Sequence, residues 1–206
     1  MTDVPISDAE HREALRALAA EFAKHGIRIM ALGSSAVLLK SGMAGGTKDI
    51  DVHPFPVGDF EKYWDAIELV AKNLGGTVKM EPDGASITMH IRIRDRMVPV
   101  ELIEGREDFI EPHVLDDAKK SAQDVTGILV PSWEHVAVMK AEAWYDRTGE
   151  TRAKYREDMV KLASRFAEDG TRLDAAELER LVKLRPERKH DEMLATIFRV
   201  LDRVLQ

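Results

Sequence analysis

The stretch Ala31-Leu-Gly-Ser-Ser-Ala-Val-Leu-Leu-Lys-Ser-Gly-Met-Ala-Gly-Gly-Thr-Lys-Asp-Ile-Asp-Val-His53 decides how the chain is read. It begins as the end of an apolar strand, turns at Gly33-Ser34-Ser35, and continues as a short apolar helix over Ala36–Ser41. A loop containing Gly42, Gly45 and Gly46 then leads through Thr47-Lys48 into a second strand carrying Asp49 and Asp51 around Ile50. Strand side chains alternate faces, so the two aspartates point one way and Ile50 points into the core. Their Cα atoms would lie about 7 Å apart, and the carboxylates would repel by about 2.4 kcal/mol at an effective dielectric near 20. A divalent cation between them reverses the sign of that cost.

The turn at Gly33 admits two readings. Small residues between a strand and a helix N-terminus let backbone amides and a hydroxyl approach a polyphosphate, which the helix dipole also favours. The same residues make a tight strand-to-helix turn with Ser34 or Ser35 as N-cap.

Upstream, Ser7-Asp-Ala-Glu10 has the form of a capping box, and Leu15, Leu18, Ala19 and Phe22 recur at helical spacing as far as Gly26, which ends that helix. Ile27–Leu32 is the buried strand that delivers the turn. Downstream, a helix is expected over Val57–Leu74, with Phe60, Trp64, Ile67, Leu69 and Val70 in the core, closed by Gly75-Gly76. A β-rich block follows: Thr77–Met80, a turn at Pro82-Asp83-Gly84, Ser86–Arg94, and Met97–Ile103. In the last strand Val98, Val100 and Leu102 share one face and Pro99, Glu101 and Ile103 the other. Glu101 is therefore either a solvent-facing charge or a carboxylate that something pairs with, since a lone one in an apolar strand is costly.

Leu129-Val130-Pro131-Ser132 reads as a strand end and an N-cap, opening a helix over Trp133–Tyr145. Lys140 lies on the same side as Val136, Met139 and Ala143, where it either snorkels to water or meets a phosphate. Arg147, Arg152, Lys154 and Arg156 form a basic cluster, readable as a solvated helix face or as a polyanion contact. Two further helices, Leu173–Leu184 and Glu187–Leu205, are separated by Pro186.

Composition bounds the function classes. The chain has 206 residues, 44% hydrophobic, which suffices for a sizeable core. With no cysteine there is no disulfide, no thiolate metal site and no cysteine nucleophile, as fits a cytoplasmic protein. No apolar run is long enough to span a bilayer and no signal-peptide pattern opens the chain, so no membrane partner is expected. A net charge of −7 argues against wholesale nucleic-acid binding through a basic surface. The seven histidines make no metal-binding spacing, and His53, beside the aspartate pair, reads as a packing residue at a strand end.

Gly33-Ser34, then Asp49-x-Asp51 on one strand, then Glu101 in an apolar strand some fifty residues on, resembles the polymerase beta-type nucleotidyltransferase superfamily. Within it, Ala-Leu-Gly-Ser-Ser-Ala-Val-Leu and Gly-Thr-Lys-Asp-Ile-Asp-Val are most similar to the small toxin-like members of abortive-infection type. Those carry an Arg where this chain has Gly45. Lys140, Lys154 and Asp158 match their helix Lys and following Lys-x-x-x-Asp, although Tyr155 stands where they often place an acid.

The resemblance implies an α/β fold: a nucleotidyltransferase-like domain over residues 1–126 with a mixed, mainly antiparallel sheet, then a helical C-terminal domain over 127–206. It implies an enzyme that moves NMP from an NTP to a hydroxyl acceptor by two-metal chemistry, with Mg²⁺ as the cofactor and Mn²⁺ as its alternative. Asp49, Asp51 and Glu101 are then the catalytic and metal-ligating residues. Gly33, Ser34, Ser35, Thr47, Lys140, Lys154 and Asp158 are then the nucleotide-binding ones. The acceptor would be tRNA or other RNA, a protein or a small molecule, and a cognate antitoxin would be a partner. A catalytically idle member of the fold that binds nucleotide or a partner is the alternative.

Overall fold

The computed structural model describes residues 5–42, 47–55, 60–80, 86–104, 112–146, 149–185 and 190–202. Gly45, Gly46, the start of the helix expected from Val57, the Pro82–Gly84 turn, Arg147 and Pro186 lie outside them. The chain divides into two compact units, one of residues 1–104 and 122–131, the other of 105–121 and 132–206.

In the first unit, α1 (Asp8–Ala23) opens with the expected capping box: Ser7 Oγ accepts from the Glu10 amide and the Glu10 carboxylate accepts from the Ser7 amide. Its core face is His11, Ala14, Leu15, Leu18, Ala19 and Phe22. The chain then runs β1 (Arg28–Ala31), α2 (Gly33–Ser41), β2 (Ile50–Phe55), a 3-10 turn at Glu61–Tyr63, α3 (Trp64–Asn73), β3 (Thr77–Met80), β4 (Ser86–Ile93) and β5 (Arg96–Ile103). A hairpin of β6 (Gln123–Val125) and β7 (Ile128–Val130) completes the unit. The strands form one seven-stranded sheet in the order β3-β4-β5-β2-β1-β7-β6. The β1–β7 and β2–β5 pairs are parallel and the other pairs antiparallel, so the sheet is mixed and mainly antiparallel.

Some local expectations change. The helix expected from Val57 becomes α only at Trp64, after the 3-10 turn, and Leu69 is 42% exposed rather than in the core. The buried row of α3 is Ile67, Val70 and Ala71, the i, i+3, i+4 set, and Leu69 falls on the far side of the helix from it. The short helix expected from Ala36 starts at Gly33, with Leu32 at the N-cap position, so neither Ser34 nor Ser35 is a cap. The β6–β7 hairpin was legible only in the end of β7, at Leu129-Val130, and α4 (Pro112–Ser121) was not legible. That hairpin turns at Thr126 and Gly127, both at positive φ (56° and 87°), the pairing a tight two-residue loop demands.

The second unit is helical: α4, α5 (Trp133–Asp146), α6 (Gly149–Asp169), α7 (Ala175–Val182) and α8 (His190–Leu201). Its core takes Val136, Ala137, Ala141, Met159, Leu162, Phe166, Leu178, Leu181, Met193 and Ile197. Polar contacts also tie these helices together. His135 Nε2 on α5 bonds Asp117 of α4 at 3.1 Å, and Arg180 of α7 donates to the same carboxylate. The wholly buried Glu142 of α5 pairs with Arg185, just after α7, at 2.6 Å. No described helix is long and apolar enough to cross a membrane.

Candidate active site

Two neighbouring parallel strands bring the first two acids together. In the β2–β5 ladder Asp51 stands opposite Glu101, flanked by the pairs Ile50↔Val100 and Val52↔Leu102, all four of whose members are fully buried. A one-residue slip of either strand would expose its two buried members and bury its acid, so core packing locks the register that sets Asp51 beside Glu101. On its other side Glu101 faces Thr88 of β4, which puts Asp51, Glu101 and Thr88 in a row across three strands.

Asp49 arrives differently from the expectation: it precedes β2, in a bend, rather than sitting on the strand. Thr47 holds it there. The Thr47 hydroxyl lies 2.9 Å from Asp49 Oδ1 and 3.0 Å from the Asp49 carbonyl oxygen, and its own oxygen accepts from the Asp49 amide at 3.4 Å. Asp49, Asp51 and Glu101 are all half-buried, and each offers an oxygen within 4.8 Å of the others. At that spacing each pair of charges repels by about 3 kcal/mol at an effective dielectric near 20. An all-carboxylate set, with no histidine or thiolate, suits a hard oxygen-seeking cation such as Mg²⁺ or Mn²⁺.

Gly33 is built into the same place. It has φ +46°, and a Cβ on it would lie 2.3 Å from Asp51 Oδ2, so glycine alone lets the carboxylate lie against the start of α2. The backbone is stitched there too, since the Leu32 amide donates to the Asp51 carbonyl at 3.0 Å. The first helical bond of α2 runs from the Ala36 amide to the Leu32 carbonyl, so the amides of Gly33, Ser34 and Ser35 precede it at the positive end of the helix dipole.

Ser34 is half-buried, whereas Ser35 is wholly buried with its Oγ 2.8 Å from His11 Nε2. Burial pushes the His11 imidazole down to about 4, against the opposing pull of Asp8 and Asp49. Lys140, Lys154 and Asp158 belong to the second unit. There Lys140 on α5 pairs with Asp158 on α6 at 3.3 Å, and Lys154 is exposed. His53 is the buried packing residue expected, its Nδ1 2.7 Å from the Ile103 carbonyl oxygen. Two neighbours of the predicted residues, Thr88 beside Glu101 and His11 beside Ser35, were not singled out from the sequence; the signal for His11 was a histidine on the apolar face of α1.

Residues 11–199 match the family described as nucleotidyl transferase of unknown function (DUF2204). No curated protein matches the chain. Among solved structures, an antigenic nucleotidyltransferase-like protein from Paracoccidioides brasiliensis is similar at 14% identity and a TM-score of 0.58, over 98% of this chain and 96% of that one. JHP933 from Helicobacter pylori is similar at 13% identity and a TM-score of 0.54, over 96% and 91%. At such identities the likeness speaks for the fold, which both share with this chain across nearly their whole lengths. The family match spans nearly the entire sequence, and the chain therefore belongs to this family of nucleotidyl transferases.

Proposed function

We propose that the protein transfers a nucleoside monophosphate from an NTP to a hydroxyl acceptor, with a divalent cation, Mg²⁺ or Mn²⁺, held by Asp49, Asp51 and Glu101. The observation that carries this reading is the convergence of three carboxylates within 4.8 Å of one another, beside a helix start that only glycine can open. Bound there, the cation would offset charge on the phosphates and favour the ionised form of the attacking hydroxyl.

The chain's own residues have separable jobs in this reading. Asp49, Asp51 and Glu101 supply the ligand oxygens, and Thr47 fixes the rotamer of Asp49. The amides of Gly33, Ser34 and Ser35, with the Ser34 hydroxyl, take the phosphate oxygens at the start of α2. Glu101 accepts the proton as the acceptor oxygen bonds to the α-phosphorus and the bond to the departing pyrophosphate breaks. Lys140, Lys154 and Asp158 keep the nucleotide role that the superfamily resemblance gives them, and Lys140→Met tests it through the KM for NTP. The acceptor is RNA or tRNA, a protein or a small molecule, and the resemblance to toxin-like members supports action as a cytoplasmic toxin held in check by an antitoxin.

The test is incubation with each α-labelled NTP and Mg²⁺, with and without total tRNA, beside Asp51→Asn. Label reaching RNA or protein with the wild type, and falling on the order of a hundredfold or more in the variant, supports the reading. Binding of NTP and cation without transfer to any acceptor would point to the idle member of the fold. Loss of both binding and transfer in the wild type overturns the proposal.

A further inference from the structure

We infer that residues 6–12, the lead-in and first turn of α1, are a splint that fixes the phosphate-facing turn of α2 against the carboxylate cluster, with His11 as its positioning residue. This rests on the nucleotide reading above and assigns a part to residues outside the three-carboxylate cluster. Helix α2 has nine residues and no side-chain cap at Leu32, far too little to hold its own place in water. Its position must come from tertiary contacts, and adjacent residues of α1 grip both of its ends. His11 Nε2 meets Ser35 Oγ at 2.8 Å in the first turn. Arg12 Nη2 donates to the carbonyl oxygens of Leu38, at 3.2 Å, and Gly42, at 2.9 Å, where the helix ends.

The same segment reaches the other side of the site. The Ile6 amide donates to the Thr47 carbonyl oxygen at 2.7 Å, and Thr47 in turn fixes Asp49. One short stretch thus sets the start of α2, its end, and the anchor of a metal-ligating acid.

The His11–Ser35 bond is not what packing for stability alone would select. Both residues are fully buried, and His11 Nδ1 has no hydrogen-bond partner among the described residues. An apolar pair of equal volume would avoid that desolvation cost. What the polar pair adds is direction: it fixes the rotation and height of the first turn, on which the aim of three amides depends.

The test measures binding of inorganic tripolyphosphate with Mg²⁺, and separately of Mn²⁺ alone, to the full-length wild type, His11→Phe, His11→Gln and Arg12→Met. Gln places an amide where Nε2 stood and Phe does not. The expected result is triphosphate affinity about tenfold weaker in His11→Phe, with Mn²⁺ affinity kept within about twofold and triphosphate affinity largely restored in His11→Gln. Arg12→Met should weaken triphosphate less than His11→Phe does. If His11→Phe does not fold, Ser35→Ala deletes the same bond from the other side and should give the same split between the two ligands. Wild-type triphosphate affinity in His11→Phe overturns the splint alone, as does an equal loss of both ligands in Phe and Gln. A wild type that binds neither ligand overturns the nucleotide reading, and the splint with it.

Discussion

Gly33 shows how much a single position decides. Its φ of +46° lies in the left-handed region, and the space for its missing Cβ is taken by Asp51 Oδ2 at 2.3 Å. Gly33→Ala should cost about 1–2 kcal/mol from backbone conformation. The clash falls on the far end of a side chain, which can swing away, so fold loss stays modest while Mn²⁺ binding falls sharply; thermal unfolding and a Mn²⁺ titration together check this. His11 makes a second residue-scale prediction. Its folded pKa of about 4 lies below the ordinary value of 6.5, because burial disfavours the charged ring more than Asp8 and Asp49 favour it, with Arg12 adding to the lowering. Below pH 6.5 the unfolded chain binds a proton that the folded one refuses, so stability is present above that pH and is lost as pH falls toward 4. The full loss is about 3 kcal/mol, order of magnitude. Denaturant midpoints of the wild type between pH 7 and 4.5 should slope downward, and His11→Gln should flatten that part of the slope. Asp49, Asp51 and Glu101 were legible as candidates because a closely spaced aspartate pair and an acid in an apolar run are local signals, although Asp49 reaches the cluster from a bend and not from the strand. His11–Ser35 was not, because nothing in a sequence reports a hydrogen bond between residues 24 positions apart.

At the level of elements, the strand β1, the turn and α2 could be read from one continuous stretch, since an apolar run, a glycine and a second apolar run follow one another, although not the start of α2 at Gly33. The bend that brings Asp49 to the cluster could not. It depends on Thr47 bonding back to Asp49 and on Ile6 reaching Thr47 from the far end of the unit. Strand β6 of the β6–β7 hairpin escaped notice for a different reason. Gln123 and Asp124 are exposed, so no alternation of apolar and polar residues marks that edge strand. Gly75-Gly76 was read as the end of a helix, and Gly76 does more than that. A Cβ there would lie 1.7 Å from the His90 carbonyl oxygen and 2.7 Å from its carbon, so the backbone before β3 runs hard against β4. Backbone cannot swing aside as Asp51 can. Gly76→Ala should therefore destabilise the fold by about 3 kcal/mol or more, read as a lowered unfolding midpoint, in contrast to the mainly functional effect at Gly33.

For the whole molecule, the sheet unit and the helical unit each have their own core, and the mixed, mainly antiparallel sheet followed its expected outline. Within the helical unit, Glu142 and Arg185 pair while nearly excluded from water. Glu142→Ala removes the carboxylate from a buried guanidinium and should cost on the order of 3–5 kcal/mol, visible in thermal unfolding. Cation affinity, a property of carboxylates that all lie in the sheet unit, should stay at the wild-type value in any Glu142→Ala chain that remains folded. The account as a whole stands on the three carboxylates forming a cation site. The most direct measurement is a Mn²⁺ titration followed by electron paramagnetic resonance on the wild type, Asp51→Asn and Glu101→Gln. The account predicts saturable binding to the wild type that weakens about tenfold or more in each variant, because each loses one ligand charge. Binding equally tight in all three proteins, or none to the wild type, would contradict it.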